Sequence, residues 1–91
     1  MGGMVERISS MITELKKIFD HYGKNNQLMK LVEECGELIT AIARKDEANI
    51  IEEMADVSVL ISQFIINNPE IVNVAKVKID RTIERIENEA Y

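Results

Sequence analysis

The residues best equipped for chemistry are acids that recur in register. The segments Leu31-Val32-Glu33-Glu34-Cys35-Gly36-Glu37-Leu38 and Ile50-Ile51-Glu52-Glu53-Met54-Ala55-Asp56-Val57 match in type at every position: apolar, apolar, acid, acid, sulfur, small, acid, apolar. In each, the last two acids stand three apart, Glu34 with Glu37 and Glu53 with Asp56, so each pair shares one face of a helix. Like charges at that spacing destabilise a helix, and two such clusters that converge do so further. A cation is the natural compensation. Carboxylate oxygen suits Mg²⁺ and Mn²⁺, each of which takes one or two protein carboxylates and completes its shell with water and substrate phosphate. His-rich zinc coordination is excluded, because His21 is the only histidine and Cys35 the only thiol. One Glu-x-x-Glu alone would be ordinary solvated surface; two in register, each on a core-facing flank, make Glu34, Glu37, Glu53 and Asp56 the expected metal ligands. Gly36 and Ala55 are expected to let helices or a ligand approach closely.

The elements that hold these acids read as helices. Met4, Ile8, Met11, Ile12, Leu15, Ile18, Phe19 and Tyr22 draw one stripe at three- and four-residue spacing. Gly23 suits the left-handed end of that helix, and an Asn of Asn25-Asn26 is expected to cap the next. The second stripe is Leu28, Leu31, Val32, Cys35, Leu38, Ile39 and Ile42, ending at basic Arg44-Lys45. Asp46 is the expected cap of a third helix carrying Ile50, Met54, Val57, Ile61 and Phe64, with Val59 and Ile66 roughly opposite at about 100° per residue. Asn67-Asn68-Pro69-Glu70 separates it from a fourth, striped by Ile71, Ala75, Ile79, Ile83 and Ile86. Short loops imply antiparallel neighbours, and a third helix apolar on two sides asks for more cover than one small bundle offers. The expected fold is all-α: a four-helix bundle completed by homo-oligomerisation.

Composition sets the outer limits. The chain has 91 residues, enough for one domain over 1–91, with residues 1–3 expected to be a frayed end. Apolar residues are 46% but aromatics only 4%, so Ile, Leu, Val, Met and Ala must make the core. A net charge of -5 argues against nucleic acid as partner, since backbone binding needs a basic surface. No apolar run is long enough to span a membrane, and with a lone cysteine and no leader pattern the expectation is a cytoplasmic protein.

The run Gln27 to Leu38, followed by Glu52-Glu53-Met54-Ala55-Asp56-Val57, resembles the MazG-like all-α nucleoside triphosphate pyrophosphohydrolases. Their Glu-x-x-Glu, spacer, Glu-x-x-Asp signature falls on Glu34, Glu37, Glu53 and Asp56, with the spacer Leu38 to Glu52 of the usual length, and the likeness covers nearly the whole chain from Ile8. The resemblance implies dimers or tetramers, Mg²⁺ on those four acids, and cleavage of a nucleoside triphosphate to monophosphate and pyrophosphate. It also implies a Lys, then Asn four residues later followed by Arg, on the last helix to meet phosphates. Lys76, Asp80 and Arg81 occupy that pattern, and Asp80 in place of Asn departs from it, since a carboxylate could repel phosphate or take a further metal.

Such chemistry needs charge neutralisation and an activated water. Glu33 and Glu52, next to the ligands, are the candidates to orient or deprotonate that water; the alternative for both is a plain solvated acid. Lys76 and Arg81 either hold phosphates or form a charged outer face, and Lys30 is a further candidate of the same kind. Cys35 belongs to the core stripe. Two rival readings remain: phosphoribosyl-ATP pyrophosphatase, less favoured because its usual His after the second acidic motif is lacking, and a non-enzymatic helical interaction or regulatory module.

Overall fold

The computed structural model describes residues 2–89; the side chains of residues 4–9, with Met4 and Ile8 of the expected first stripe, lie outside the described residues. Four helices follow one another: α1 (Gly2–Tyr22), α2 (Lys24–Ala43), α3 (Glu47–Asn67) and α4 (Glu70–Glu89). The chain is all-α, with the expected four helices. Met1 is outside the described residues, while Gly2 and Gly3 open α1.

The stops act largely as their chemistry dictates. Gly23 has φ 87°, the left-handed region that favours glycine, and its N–H donates to the Phe19 carbonyl at 2.8 Å. Asp46 caps α3, its carboxylate accepting from the Asn49 N–H at 3.3 Å. Neither asparagine caps α2: its N-cap is Gly23, and Asn26 Nδ2 donates backwards to the Tyr22 carbonyl at 2.7 Å, tying α2 to the end of α1.

Helices α1, α2 and α3 pack together, but the face that α2 turns inward keeps only Leu31, Cys35 and Leu38, all half-buried, of its expected stripe. Gln27, Leu31, Glu34, Leu38 and Ala41 are buried or half-buried, whereas Leu28, Val32, Ile39 and Ile42 are exposed. On α3 the inward row is Ile50, Glu53, Val57, Leu60 and Phe64, joined by Gln63, while Met54 and Ile61 are exposed. From α1, Leu15 and Phe19 reach this interior, and the Phe19 ring meets Phe64 edge-on with centroids 5.4 Å apart. Apolarity alone does not select the buried rows; acids and amides occupy part of them.

Helix α4 stands apart. Among the described residues it touches only α3, and Val72, Val74, Val77, Ile79, Ile83 and Ile86 are all exposed. The radius of gyration is 16.2 Å, where a compact domain of this length has about 12 Å. One chain therefore forms a three-helix unit with a projecting fourth helix.

Candidate metal centre

The inward rows of α2 and α3 bring the acids of the two echoed segments together. Carboxylate oxygens of Glu34, Glu53 and Asp56 lie within 4.8 Å of one another, as do those of Glu33, Glu34 and Glu37. Glu34 belongs to both trios and is the most enclosed, 6% exposed. Lys30, one turn earlier on α2, approaches Glu34 at 3.3 Å and Glu33 at 3.6 Å. That single ammonium does not satisfy the cluster, because Glu34 Oε2 and Glu53 Oε2 are buried without a hydrogen-bond partner. Unpaired buried carboxylate oxygens are costly, and a hard cation between them would remove the cost. The all-oxygen donor set fits Mg²⁺ or Mn²⁺; Cys35 and His21 belong to neither trio.

The electrostatics carry the same mark. Burial and the charge on Glu37 push the Glu53 carboxyl up to about 7, with Glu34 adding to the shift. Hydrogen bonding with Glu34, and then its charge, raises Glu37. Burial opposes ionisation of Glu34 as well, yet hydrogen bonding with Lys30, Glu37 and Glu53 outweighs it and holds Glu34 below the ordinary range. The Lys30 ammonium is held above its ordinary value by its hydrogen bond to Glu34 and by the charge on Glu33. Without a metal, the cluster thus keeps a proton at Glu53 to near neutrality.

A pH dependence follows. Folded Glu53 binds its proton up to about pH 7, whereas the ordinary value is 4.5, so between these limits the folded state holds more protons and stability falls as pH rises. In the presence of a chelator the melting temperature is expected to drop between pH 5 and pH 7, in roughly that window, and Glu53→Gln should flatten the drop. The opposite shift of Glu34 acts only below its ordinary value of 4.5. A chelated protein that gains stability across the window would contradict this assignment.

Two clefts flank the carboxylates. One, of about 670 Å³, is lined by Glu34, Asp56 and Lys30 together with Tyr22, Gln27 and Gln63; its size falls within the roughly 300–1,000 Å³ range of small-ligand sites. The other holds Glu33, Glu37 and Glu53 beside Arg44 and Asn49. Gly36 lines this second cleft, is exposed, and a Cβ added there would meet nothing within 4 Å. Ala55 is exposed too, so neither small residue mediates the expected close approach of helices.

Of the other residues singled out in the sequence, Glu33 and Lys30 stand at the cluster, and Glu52 is exposed and belongs to neither trio. Lys76, Asp80 and Arg81 lie on α4 and line neither carboxylate cleft. Lys76 Nζ donates to Asp80 Oδ1 at 2.6 Å, so the acid found where the resemblance expects Asn neutralises its neighbouring lysine. Sequence reasoning passed over Gln27, Gln63 and Arg44. The two glutamines interrupt apolar rows at inward positions, a signal that only the true register of the helices makes readable.

No curated protein and no solved structure matches the chain. Among the described residues no helix is long and apolar enough to cross a membrane. Residues 23–88 match the MazG nucleotide pyrophosphohydrolase domain, a stretch that contains both acidic segments, both trios and the whole of α2 and α3. With most of its length covered by that match, the chain belongs to the MazG nucleotide pyrophosphohydrolase family.

Proposed function

We propose that this protein is a metal-dependent nucleoside triphosphate pyrophosphohydrolase, converting an NTP or dNTP and water to the monophosphate and pyrophosphate. The observation that carries the reading is the pair of buried carboxylate oxygens, Glu34 Oε2 and Glu53 Oε2, left without partners beside a cleft of nucleotide size. Glu34, Glu37, Glu53 and Asp56 would hold Mg²⁺ or Mn²⁺, which when bound neutralises phosphate charge and acidifies water. Glu33, exposed at the edge of the cluster, accepts the proton of the attacking water, and Glu52 is the second candidate for that task. Lys30 offers its ammonium to phosphate oxygen within the cleft.

Lys76 and Arg81 complete phosphate binding in this reading only if α4 of one copy reaches the acids of another, because within one chain they line neither cleft. The exposed apolar side chains of α4, together with exposed Val59 on α3, support a homodimer or homotetramer. Light scattering at micromolar concentration is expected to return at least twice the monomer mass; a monomer would remove α4 from the site.

A panel of ribo- and deoxyribonucleoside triphosphates, with phosphoribosyl-ATP included, incubated with Mg²⁺ and assayed for pyrophosphate tests the activity. Release from one or more triphosphates, lost on chelation, is the expected result. Release from phosphoribosyl-ATP alone moves the protein to that neighbouring activity, and no release from any substrate refutes the proposal.

A further inference from the structure

The cleft beside Glu34 and Asp56 has a polar floor that cation binding leaves unused. Gln63 is 1% exposed and Gln27 6% exposed, deeper than any apolar side chain except Ala41 and Leu60 among the described residues. A buried amide needs partners, so hydrogen bonding fixes which end of each amide points where. Gln63 Nε2 donates to the Val59 main-chain carbonyl at 3.3 Å. A carbonyl can only accept, which keeps the nitrogen of Gln63 on that side and its Oε1 on the other. That oxygen accepts from Gln27 Nε2 at 2.8 Å. Gln27 Oε1 is thereby turned away from Gln63, an acceptor with no hydrogen-bond partner among the described residues, on a side chain that lines the cleft.

The walls around this acceptor suit a flat ring. Ile18, Val59 and Leu60 are apolar, and Tyr22 adds an aromatic face. Gln27 precedes Glu34 by seven residues on α2, two turns or roughly 10 Å, comparable to the reach from the outer edge of a nucleobase to the first phosphates of its nucleotide. Amide floor and carboxylate cluster therefore sit at the right separation to hold the two ends of one molecule.

We infer that Gln27 reads the nucleobase and that the cleft selects bases bearing an exocyclic amino group, cytosine and adenine, over their oxo counterparts uracil and hypoxanthine. The inference rests on the nucleotide site proposed above. An amino N–H donates to Gln27 Oε1, whereas an oxo group in the same place turns lone pairs on it and strips that acceptor of water without replacing the hydrogen bond. Gln63 touches no substrate in this arrangement. It is a positioning residue: without its fixed polarity, Gln27 can turn over and present a donor instead.

The test compares kcat/KM for CTP against UTP and for ATP against ITP, pairs that differ in the amino or oxo group and in whether the adjacent ring nitrogen carries hydrogen. With Mg²⁺ the amino substrate is expected to win by about tenfold or more in both pairs. In Gln63→Met the ratio should fall to near one, mainly through loss on CTP and ATP, with a melting curve confirming a folded chain. Equal turnover within the pairs, a preference for the oxo partner, or a ratio that survives Gln63→Met overturns the inference, and the first two need no variant. If no triphosphate is cleaved, the enzymatic reading fails separately. The base-reading inference is then decided by NMR titration with CMP and UMP: movement of the Gln27 side-chain amide signal by CMP alone sustains it, and movement by both or neither overturns it.

Discussion

Replacing Glu34 by Gln is expected to lower pyrophosphate release by a hundredfold to a thousandfold, roughly the loss that follows removal of one charge-stabilising group from a preorganised site, while the chain stays folded. Glu34 belongs to both carboxylate trios and is the most buried of the acids, so its charge serves every ion the cluster can hold. The amide keeps size and hydrogen-bonding shape and removes one charged ligand. Asp56→Asn should behave alike through the second trio. Asp56→Asn should not lower the melting temperature of the chelated protein, since it relieves repulsion with Glu53, whereas Glu34→Gln also gives up the ion pair with Lys30. Glu14 and Glu87 are exposed and outside both trios, so Glu14→Gln and Glu87→Gln should leave turnover near the parental level. Parental turnover in Glu34→Gln or Asp56→Asn would show that the site lies elsewhere.

The second large effect is on stability. An ion that binds only the folded cluster shifts unfolding by mass action, by about 1.4 kcal/mol when free Mg²⁺ is ten times its dissociation constant. For a chain of this size that corresponds to a rise in melting temperature of roughly 6–11 °C. Glu53→Gln should remove most of the rise, because Glu53 brings one of the two buried, unpartnered oxygens. A melting temperature indifferent to millimolar Mg²⁺ and Mn²⁺, with no heat of binding in calorimetry, would leave the buried oxygens unexplained by metal.

Much of this was readable in the residues. Helix boundaries followed from Gly23, Asp46 and the Asn68-Pro69 break, and the convergence of Glu34, Glu53 and Asp56 followed from their echo across α2 and α3. The faces were harder. Apolar spacing put Leu28, Val32 and Ile39 on the inward side of α2 together with Leu31, Cys35 and Leu38, but only the last three are half-buried, and the helix turns Gln27 and Glu34 inward beside them. Periodicity weighs side chains by their dislike of water, and it misplaces a row whose polar members are satisfied by each other or by a ligand. The position of α4 was hidden for a different reason: a stripe such as Ile79, Ile83 and Ile86 records that a helix has a partner, not whether the partner is in the same chain.

The isolation of α4 bears on how the molecule comes apart. A helix of 20 residues held, among the described residues, only by α3 has little tertiary packing, from which most helical stability in proteins comes. In an isolated chain its amides exchange with solvent through local opening, while those of α2 and α3 wait for the whole three-helix unit to melt. Far-ultraviolet signal and the ring NMR signals of the interior Phe19 and Phe64 would then trace different transitions, and a single unfolding free energy would not describe the chain. Cooperativity across all four helices belongs to an assembly in which α4 is covered, so that protein concentration, rather than sequence alone, sets how many steps denaturation takes.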